Sequence, residues 1–355
     1  MTAWTVHTNH LVEWGKFKEE ERLTGRADTH GTVQERVDSL KYASQMVLPT
    51  LACLLISCNL VLRALDSRPA PPGQMFWVDG DRYELHVYCH GSRADPEGAI
   101  LPAVLLEGEG PVEDGLQQLA AGAVNNGSIS RYCFVDRPGF AWSDAAPSPL
   151  SAGMAVEAAS EALAKAGEDG PWILAGADTG SIYSRIFSAR HEKDIKGLLL
   201  IDPSHEEDFG AIGAPGKGFW LWVQGVLSPL GVDRIGEALF RGRTREDRVW
   251  GKSAYQAGQY AAAKLQENLV ATTLSRREVD DNRAIQNPDT PLVLISSGVE
   301  IRRNSGWEDK QRHVSRLTRN LMSWDVVDQA PHQVWETYVG HEVIEDRLQQ
   351  LVYGV

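Results

Sequence analysis

The sequence is poor in cysteine, poor in net positive charge and without any repeat, and each lack removes a class of function. Four cysteines are scattered at Cys53, Cys58, Cys89 and Cys133. None falls into a Cys-x-x-Cys or Cys/His spacing, so neither a zinc module nor a redox pair is expected. Four thiols without a framework, and no secretory signal at the start, predict reduced cysteines and an intracellular setting. Acidic residues outnumber basic ones to a formal net charge of −13. A surface of that sign has nothing to neutralise phosphates with, and nucleic acid is excluded as a partner. No internal period and no low-complexity tract marks a solenoid or a linker array. Gly108-Glu109-Gly110 is not a dinucleotide fingerprint, because an acidic side chain and Pro111 spoil the approach of a phosphate. No metal, flavin or nucleotide cofactor is implied.

What remains is an ordinary globular composition, 43% hydrophobic and 23% charged, in 355 residues. That is enough for one large α/β domain or for two domains. Residues 1–43 are polar, with Lys16, Lys18, Glu19, Glu20 and Glu21 in a run that reads as a solvated helix or arm. Residues 46–62 carry no charge at all. About 17 apolar residues stand at the short limit for crossing a bilayer. Pro49, Asn59 and the small polar residues weaken that reading, so the segment is expected to contact a membrane or a second subunit, the latter giving a homodimer. Residues 68–73 read as a Pro-rich linker.

From Gln74 the pattern changes to strand and helix in alternation. Two strand-like runs, 75–78 and 83–88, are joined by Asp79-Gly80-Asp81, a hairpin signal. Apolar runs follow at 103–106, 132–136, 171–175, 195–201 and 291–298, with helical patterns at 112–123 and 155–166 between them. The alternation predicts a mostly parallel sheet with helices on both faces. Residues 205–287 break it with long helical stretches bearing Trp220, Trp222, Trp250, Tyr255 and Tyr260, and read as an inserted helical cap. Residues 333–339 are assigned to a last strand. The expected division is therefore an arm at 1–73, a core at 74–204 and 288–355, and a cap at 205–287.

The chemistry centres on Gly176-Ala177-Asp178-Thr179-Gly180, between a buried strand and a helix. This is the nucleophile-elbow pattern G-x-S-x-G with aspartate in the serine position. A carboxylate there can displace at an sp3 carbon and leave an alkyl ester on the enzyme.

Four motifs together carry a resemblance. They are Leu105-Leu106-Glu107-Gly108, the run Asp136-Arg137-Pro138-Gly139-Phe140-Ala141-Trp142-Ser143-Asp144, the elbow at Asp178, and Gly340-His341. The chain from Gln74 onward resembles the α/β-hydrolase fold. The elbow aspartate is similar to the epoxide-hydrolase and haloalkane-dehalogenase branches. With its apolar N-terminal segment, the whole resembles fungal membrane-associated α/β-hydrolases and the epoxide hydrolases of aurovertin- and citreoviridin-type polyketide clusters. Ala177 and Thr179 depart from the histidine and tryptophan usual beside that nucleophile, and the missing indole N–H counts against halide release.

The resemblance implies an epoxide hydrolase acting on a small lipophilic, polyketide-like substrate. An ester hydrolase, a dehalogenase-like enzyme and a non-catalytic membrane-associated binding protein stay open. Asp178 is the expected nucleophile and His341 the base that activates water. Asp202 or Glu300, each following a strand, is the carboxylate expected to orient the histidine. The backbone N–H groups of Thr179 and Glu109 are the expected oxyanion hole. Tyr255, Tyr260 or a neutral Glu107 or Glu109 would protonate the departing oxygen, and His205 would line the pocket.

Overall fold

A computed structural model describes residues 2–25, 33–67, 70–94, 97–240, 244–251 and 254–354. The first two residues of the expected linker, 68 and 69, lie outside the described residues. The strands are β1 (Gln74–Val78), β2 (Tyr83–Gly91), β3 (Ala103–Glu107), β4 (Arg131–Val135), β5 (Trp172–Ala177), β6 (Ile195–Ile201), β7 (Leu292–Ser297) and β8 (Leu321–Val327). The helices are α1 (Thr2–Thr24), α2 (Val33–Asp66), α3 (Leu116–Asn125), α4 (Ala152–Lys165), α5 (Gly180–Arg190), α6 (Phe209–Ile212) and α7 (Pro215–Leu227), followed by α8 (Val232–Phe240), α9 (Arg245–Val249), α10 (Gly258–Val270), α11 (Arg276–Ile285), α12 (Gly298–Arg303), α13 (Ser305–Val314) and α14 (Tyr338–Tyr353).

All eight strands form one sheet in the order β1-β2-β4-β3-β5-β6-β7-β8. The hairpin strands β1 and β2 pair antiparallel, β2 pairs antiparallel with β4, and every pairing from β4 to β8 is parallel. The central strands β3, β5, β6 and β7 are apolar at almost every position because both their faces are covered. Leu105, Leu174, Leu198 and Leu294 face one core, with α4 and α5. Val104, Ile173, Leu199 and Val293 face the other, with α3 and α14.

The register of β2 on β4 sets Cys89 opposite Cys133, and the two form a disulfide. This corrects the expectation of four reduced thiols. The pair is brought together by strand pairing 44 residues apart in sequence, which no local spacing reveals. Cys53 and Cys58 are free on α2.

A second correction concerns the last strand. Residues 334–336 form a single turn of 3-10 helix and α14 starts at Tyr338. The last strand is β8, on the sheet edge, half-exposed and interrupted by Ser323 and Asp325. Its weak apolar signal is that of an edge strand.

The segment from α6 to α11 lies over the sheet end that carries the elbow. Gly139, in the loop after β4, touches it so closely that a Cβ there would fall on the methyl group of Ala263 in α10. Arg137, from the same loop, reaches Glu267 of α10 at 2.7 Å, and Tyr183 of α5 donates to the same carboxylate at 3.0 Å.

Candidate active site

Asp178 stands at the turn from β5 into α5 with φ 48°, a conformation that few residues with a Cβ adopt. The flanking glycines make the turn possible. A Cβ on Gly176 would press on the backbone of Ser181, and one on Gly180 would lie on the Glu107 carbonyl oxygen. The Asp178 N–H donates to Ile201 O at 3.0 Å, and its carbonyl accepts from Ser181 and Ser204 N–H. The backbone is thus pinned at the C-terminal end of the sheet, where α/β folds place their ligands.

The side chain meets three groups. His332 Nε2 lies 3.1 Å from Asp178 Oδ2, and Ser204 Oγ donates to Oδ1 at 2.5 Å. Glu109, from the loop after β3, hydrogen-bonds to the same carboxyl group. The other imidazole nitrogen, His332 Nδ1, is 2.6 Å from Asp202 Oδ2. Asp202 is itself held: its Oδ1 accepts from Ser297 N–H at 3.0 Å and from Trp307 Nε1 at 2.9 Å. It is fully buried at the end of β6, also at positive φ. Trp307 meets the His332 ring edge to face. The result is a line of carboxylate, imidazole and carboxylate, with orienting bonds behind the second acid.

The charges follow from this arrangement. Burial works to lower the His332 pKa, but hydrogen bonds and opposite charge from Asp178 and Asp202 overcome it and raise the imidazole to about 10. Burial works to raise Asp178, and the bonds from His332 and Ser204 hold it below the ordinary carboxylate value instead. Glu109 goes the other way, raised first by burial and then by the negative charge of Asp178. The pKa values of two acids sharing a site have been pushed apart, Asp178 down and Glu109 up. Glu107 is raised to about 8 by complete burial, against the pull of Arg137.

The predicted residues fall as follows. Asp178, Asp202 and Glu109 converge. His341 does not join them: it sits in the first turn of α14, its N–H bonded to Thr337 O, and His332 occupies the position between the two carboxylates. This corrects the assignment of the base, and the error has the same origin as the misplaced strand. The histidine follows β8, in Asp328-Gln329-Ala330-Pro331-His332, and the β-rich run Trp324-Asp325-Val326-Val327 ahead of it was the available signal. Glu300 is in α12 with its carboxylate on Arg303 at 3.4 Å, so it is not the orienting acid.

Thr179 caps α5 and lines a cavity of 40 Å³ with Glu109, Tyr183 and Phe209. Its hydroxyl is buried without a partner. Tyr255 and Tyr260 line a larger cavity of 420 Å³ together with Glu109, Asp114 and Trp335. The Tyr255 hydroxyl donates to Asp114 at 2.7 Å, and its ring meets that of Tyr260 edge to face. Glu109 therefore stands where the two cavities meet. His205 is engaged elsewhere, Nε2 on His313 Nδ1 at 2.6 Å.

Among the described residues three clusters could be taken for metal sites: in one, Cys89 and Cys133 beside Glu168 are already bonded to each other, and in another, His86 with Glu113 and Asp136, both Glu113 oxygens and Asp136 Oδ1 are buried without a hydrogen-bond partner. In His205, Glu206 and His313, the Nδ1 of His205 accepts from Glu207 N–H, so its Nε2 carries the proton, and Glu206 is bound by Arg185 and Arg283. In His86, Glu113 and Asp136, His86 Nε2 faces the Pro72 carbonyl oxygen, which only a protonated nitrogen satisfies.

Comparison with known proteins agrees with the architecture. Solved structures that superpose on this chain include an α/β hydrolase enzyme from a Medee basin deep-sea metagenome library, 12% identical, covering 79% of this chain and 98% of that one at a TM-score of 0.54. Another is the enol-lactonase of Burkholderia xenovorans, 14% identical over 78% and 99% of the two chains, at 0.51. The fold is that of the α/β-hydrolases.

Residues 1–89 match a region of unknown function designated DUF2417. An uncharacterized protein of Schizosaccharomyces pombe is 33% identical over 317 residues, 83% of this chain and 58% of that protein. An uncharacterized vacuolar membrane protein of Saccharomyces cerevisiae is 25% identical over 365 residues, 88% of this chain and 56% of the relative. The chain thus spans little more than half the length of these curated relatives.

Proposed function

We propose that this chain is a membrane-associated hydrolase that opens an epoxide of a lipophilic substrate through an ester on Asp178. The observation that carries the reading is an aspartate on the elbow whose pKa is held down, facing Glu109, whose pKa is pushed up, on one side and a histidine–aspartate pair on the other.

In the first step an Asp178 oxygen attacks a ring carbon, the carbon–oxygen bond breaks, and Glu109 gives its proton to the departing oxygen. The product is an alkyl ester on Asp178, with Glu109 ionised and His332 still protonated. Ester formation removes one of the two negative charges that hold the imidazole proton, so the His332 pKa falls. Its proton returns to Glu109 through solvent. Neutral His332 then takes a proton from water, the hydroxide attacks the ester carbonyl, and the N–H groups of Thr179 and Glu109 receive the oxyanion. Collapse releases the diol and restores the Asp178 carboxylate beside imidazolium. The helix α2 supports the membrane part of the proposal. It contains 23 residues, Ser44–Asp66, long and apolar enough to cross a bilayer, with 6% of the apolar window buried.

The test is a single turnover of an epoxide such as styrene oxide in 18O-water. The expected result is a diol without label in the first turnover and 18O in the Asp178 side chain by peptide mass spectrometry. Label in the diol at the first turnover, with none in Asp178, would overturn the ester route.

A further inference from the structure

A third cavity, of 310 Å³, opens between the last turn of α2, the loop after β4 and helices α8 and α9. It shares Tyr260 with the larger of the two cavities at Asp178 but reaches neither acid of the line. Arg63, Arg234 and Arg248 line it, with Asp66 and Asp144 as the acids. Asp66 is buried and already committed. Arg248 donates to it at 2.7 and 2.9 Å, Arg234 donates at 3.1 Å, and Arg245 donates to its backbone carbonyl oxygen. Asp144 accepts from Glu84 N–H across the loop. Glu246, on α9, faces solvent.

Arg245 and Arg248 are engaged, and Asp247 and Glu246 of α9 add their negative charge to Arg248. Arg234 is the group left with an unmet donor. It is 7% exposed, and its Nε is buried without a hydrogen-bond partner. Burial, with the nearby charges of Arg63 and Arg248, pulls its pKa down in spite of Asp66. A buried guanidinium with an unmet donor beside an open cavity calls for an acceptor there. The planar fork of arginine suits the tetrahedral oxygens of phosphate. Arg63 follows Cys58, the last residue of the part of α2 not docked on protein, by about 8 Å along the helix, so a bilayer holding that part would present its phosphates near the cavity.

We propose that this cavity binds a phosphate group, supplied either by an anionic lipid headgroup or by free phosphate. The full chain is reconstituted into phosphatidylcholine vesicles with and without phosphatidylinositol 4-phosphate. Thermal unfolding is followed in each, and in phosphatidylcholine vesicles with added inorganic phosphate.

The expected result is stabilisation by the anionic lipid that falls at least about fivefold in apparent affinity, roughly 1 kcal/mol, in Arg63→Gln and in Arg234→Gln. Arg234→Gln removes a partner of Asp66 and destabilises the chain by itself. Arg63→Gln does not, because Arg63 is exposed and among the described residues its side chain makes no hydrogen bond or ion pair. Stabilisation by millimolar inorganic phosphate alone, equally sensitive to the two variants, assigns the site to the free anion. No stabilisation by either source, or stabilisation indifferent to Arg63→Gln, overturns the proposal and leaves a structural ion cluster.

Discussion

At the scale of the residue, the proposed chemistry turns on the opposite shifts of the groups around Asp178. His332 is raised to about 10 by two carboxylates, and Glu109 is raised by burial and by Asp178. Glu109→Gln keeps a hydrogen-bond donor but has no proton to give. Ester formation should slow by about 10²–10⁴-fold while ester hydrolysis, measured on trapped adduct, changes little. His332→Gln should do the reverse, forming the ester and accumulating it as a covalent mass on Asp178. Asp202→Asn should share that phenotype, whereas Glu300→Gln should turn over normally; an adduct in Glu300→Gln alone would reassign the orienting acid.

The same shifts set the stability profile. A histidine raised on folding contributes stability that is fully present below its ordinary value of 6.5 and lost as pH rises through about 10. Asp178, lowered on folding, contributes above the ordinary aspartate value of 3.8 and loses that contribution in acid. The free enzyme should therefore lose stability between pH 7 and 10. Chemical unfolding of His332→Gln should show a flatter alkaline limb, and an identical limb would mean that the imidazole is not charged in the native state.

At the scale of the element, legibility followed burial. Strands β3, β5, β6 and β7 are covered on both faces and announce themselves as apolar runs, so the turns after them could be located. Asp178, Asp202 and Glu109 were legible because each follows such a strand. Edge strand β8 has polar and half-exposed positions, and His332 behind it was hidden for that reason. The Cys89–Cys133 pairing depends on the register of β2 on β4, which pattern alone does not encode.

Helix α2 presents a similar problem of length. The 23-residue stretch Ser44–Asp66 would extend about 34 Å, against a hydrocarbon core of about 30 Å. Yet Asn59 donates to the Ser228 and Pro229 carbonyl oxygens at 3.4 and 3.1 Å, and Gly231 lies against its side chain so closely that a Cβ would displace it. The stretch from Asn59 is therefore docked on protein, and the free part, Ser44 to Cys58, extends only about 22 Å. Helix α7, next to this contact, exposes Phe219, Trp220 and Trp222. Aromatic rings of this kind favour the headgroup region. Replacing Trp220 and Trp222 together by alanine should weaken vesicle binding of the whole chain by about tenfold without changing its fold by circular dichroism. Unchanged binding would show that α2 alone holds the chain to lipid.

At the scale of the whole molecule, the N-terminal arm is tied to the cap as well as to any membrane. Asp66, in the last turn of α2, is the carboxylate on which Arg234 of α8 and Arg248 of α9 meet. The cap in turn touches the core through Arg137 on Glu267 and Ala263 against Gly139, beside the loops that carry Glu109 and the elbow. The arm therefore bears on the order of the cavities at Asp178 without lining them. A chain beginning at Gln74 would leave two buried or half-buried guanidinium groups without their acid, and its cap should loosen. Asp66→Asn tests the same link in the full chain. Removing one partner of a buried ion cluster costs about 3 kcal/mol, so the unfolding midpoint should fall by several degrees. The rate of ester formation should drop as the cap loses its fixed position over Glu109, while the 18O label still enters Asp178, because the reacting groups are intact. If Asp66→Asn unfolds and turns over like the parent chain, the arm is an anchor only, and the cap is held by its contacts with the core.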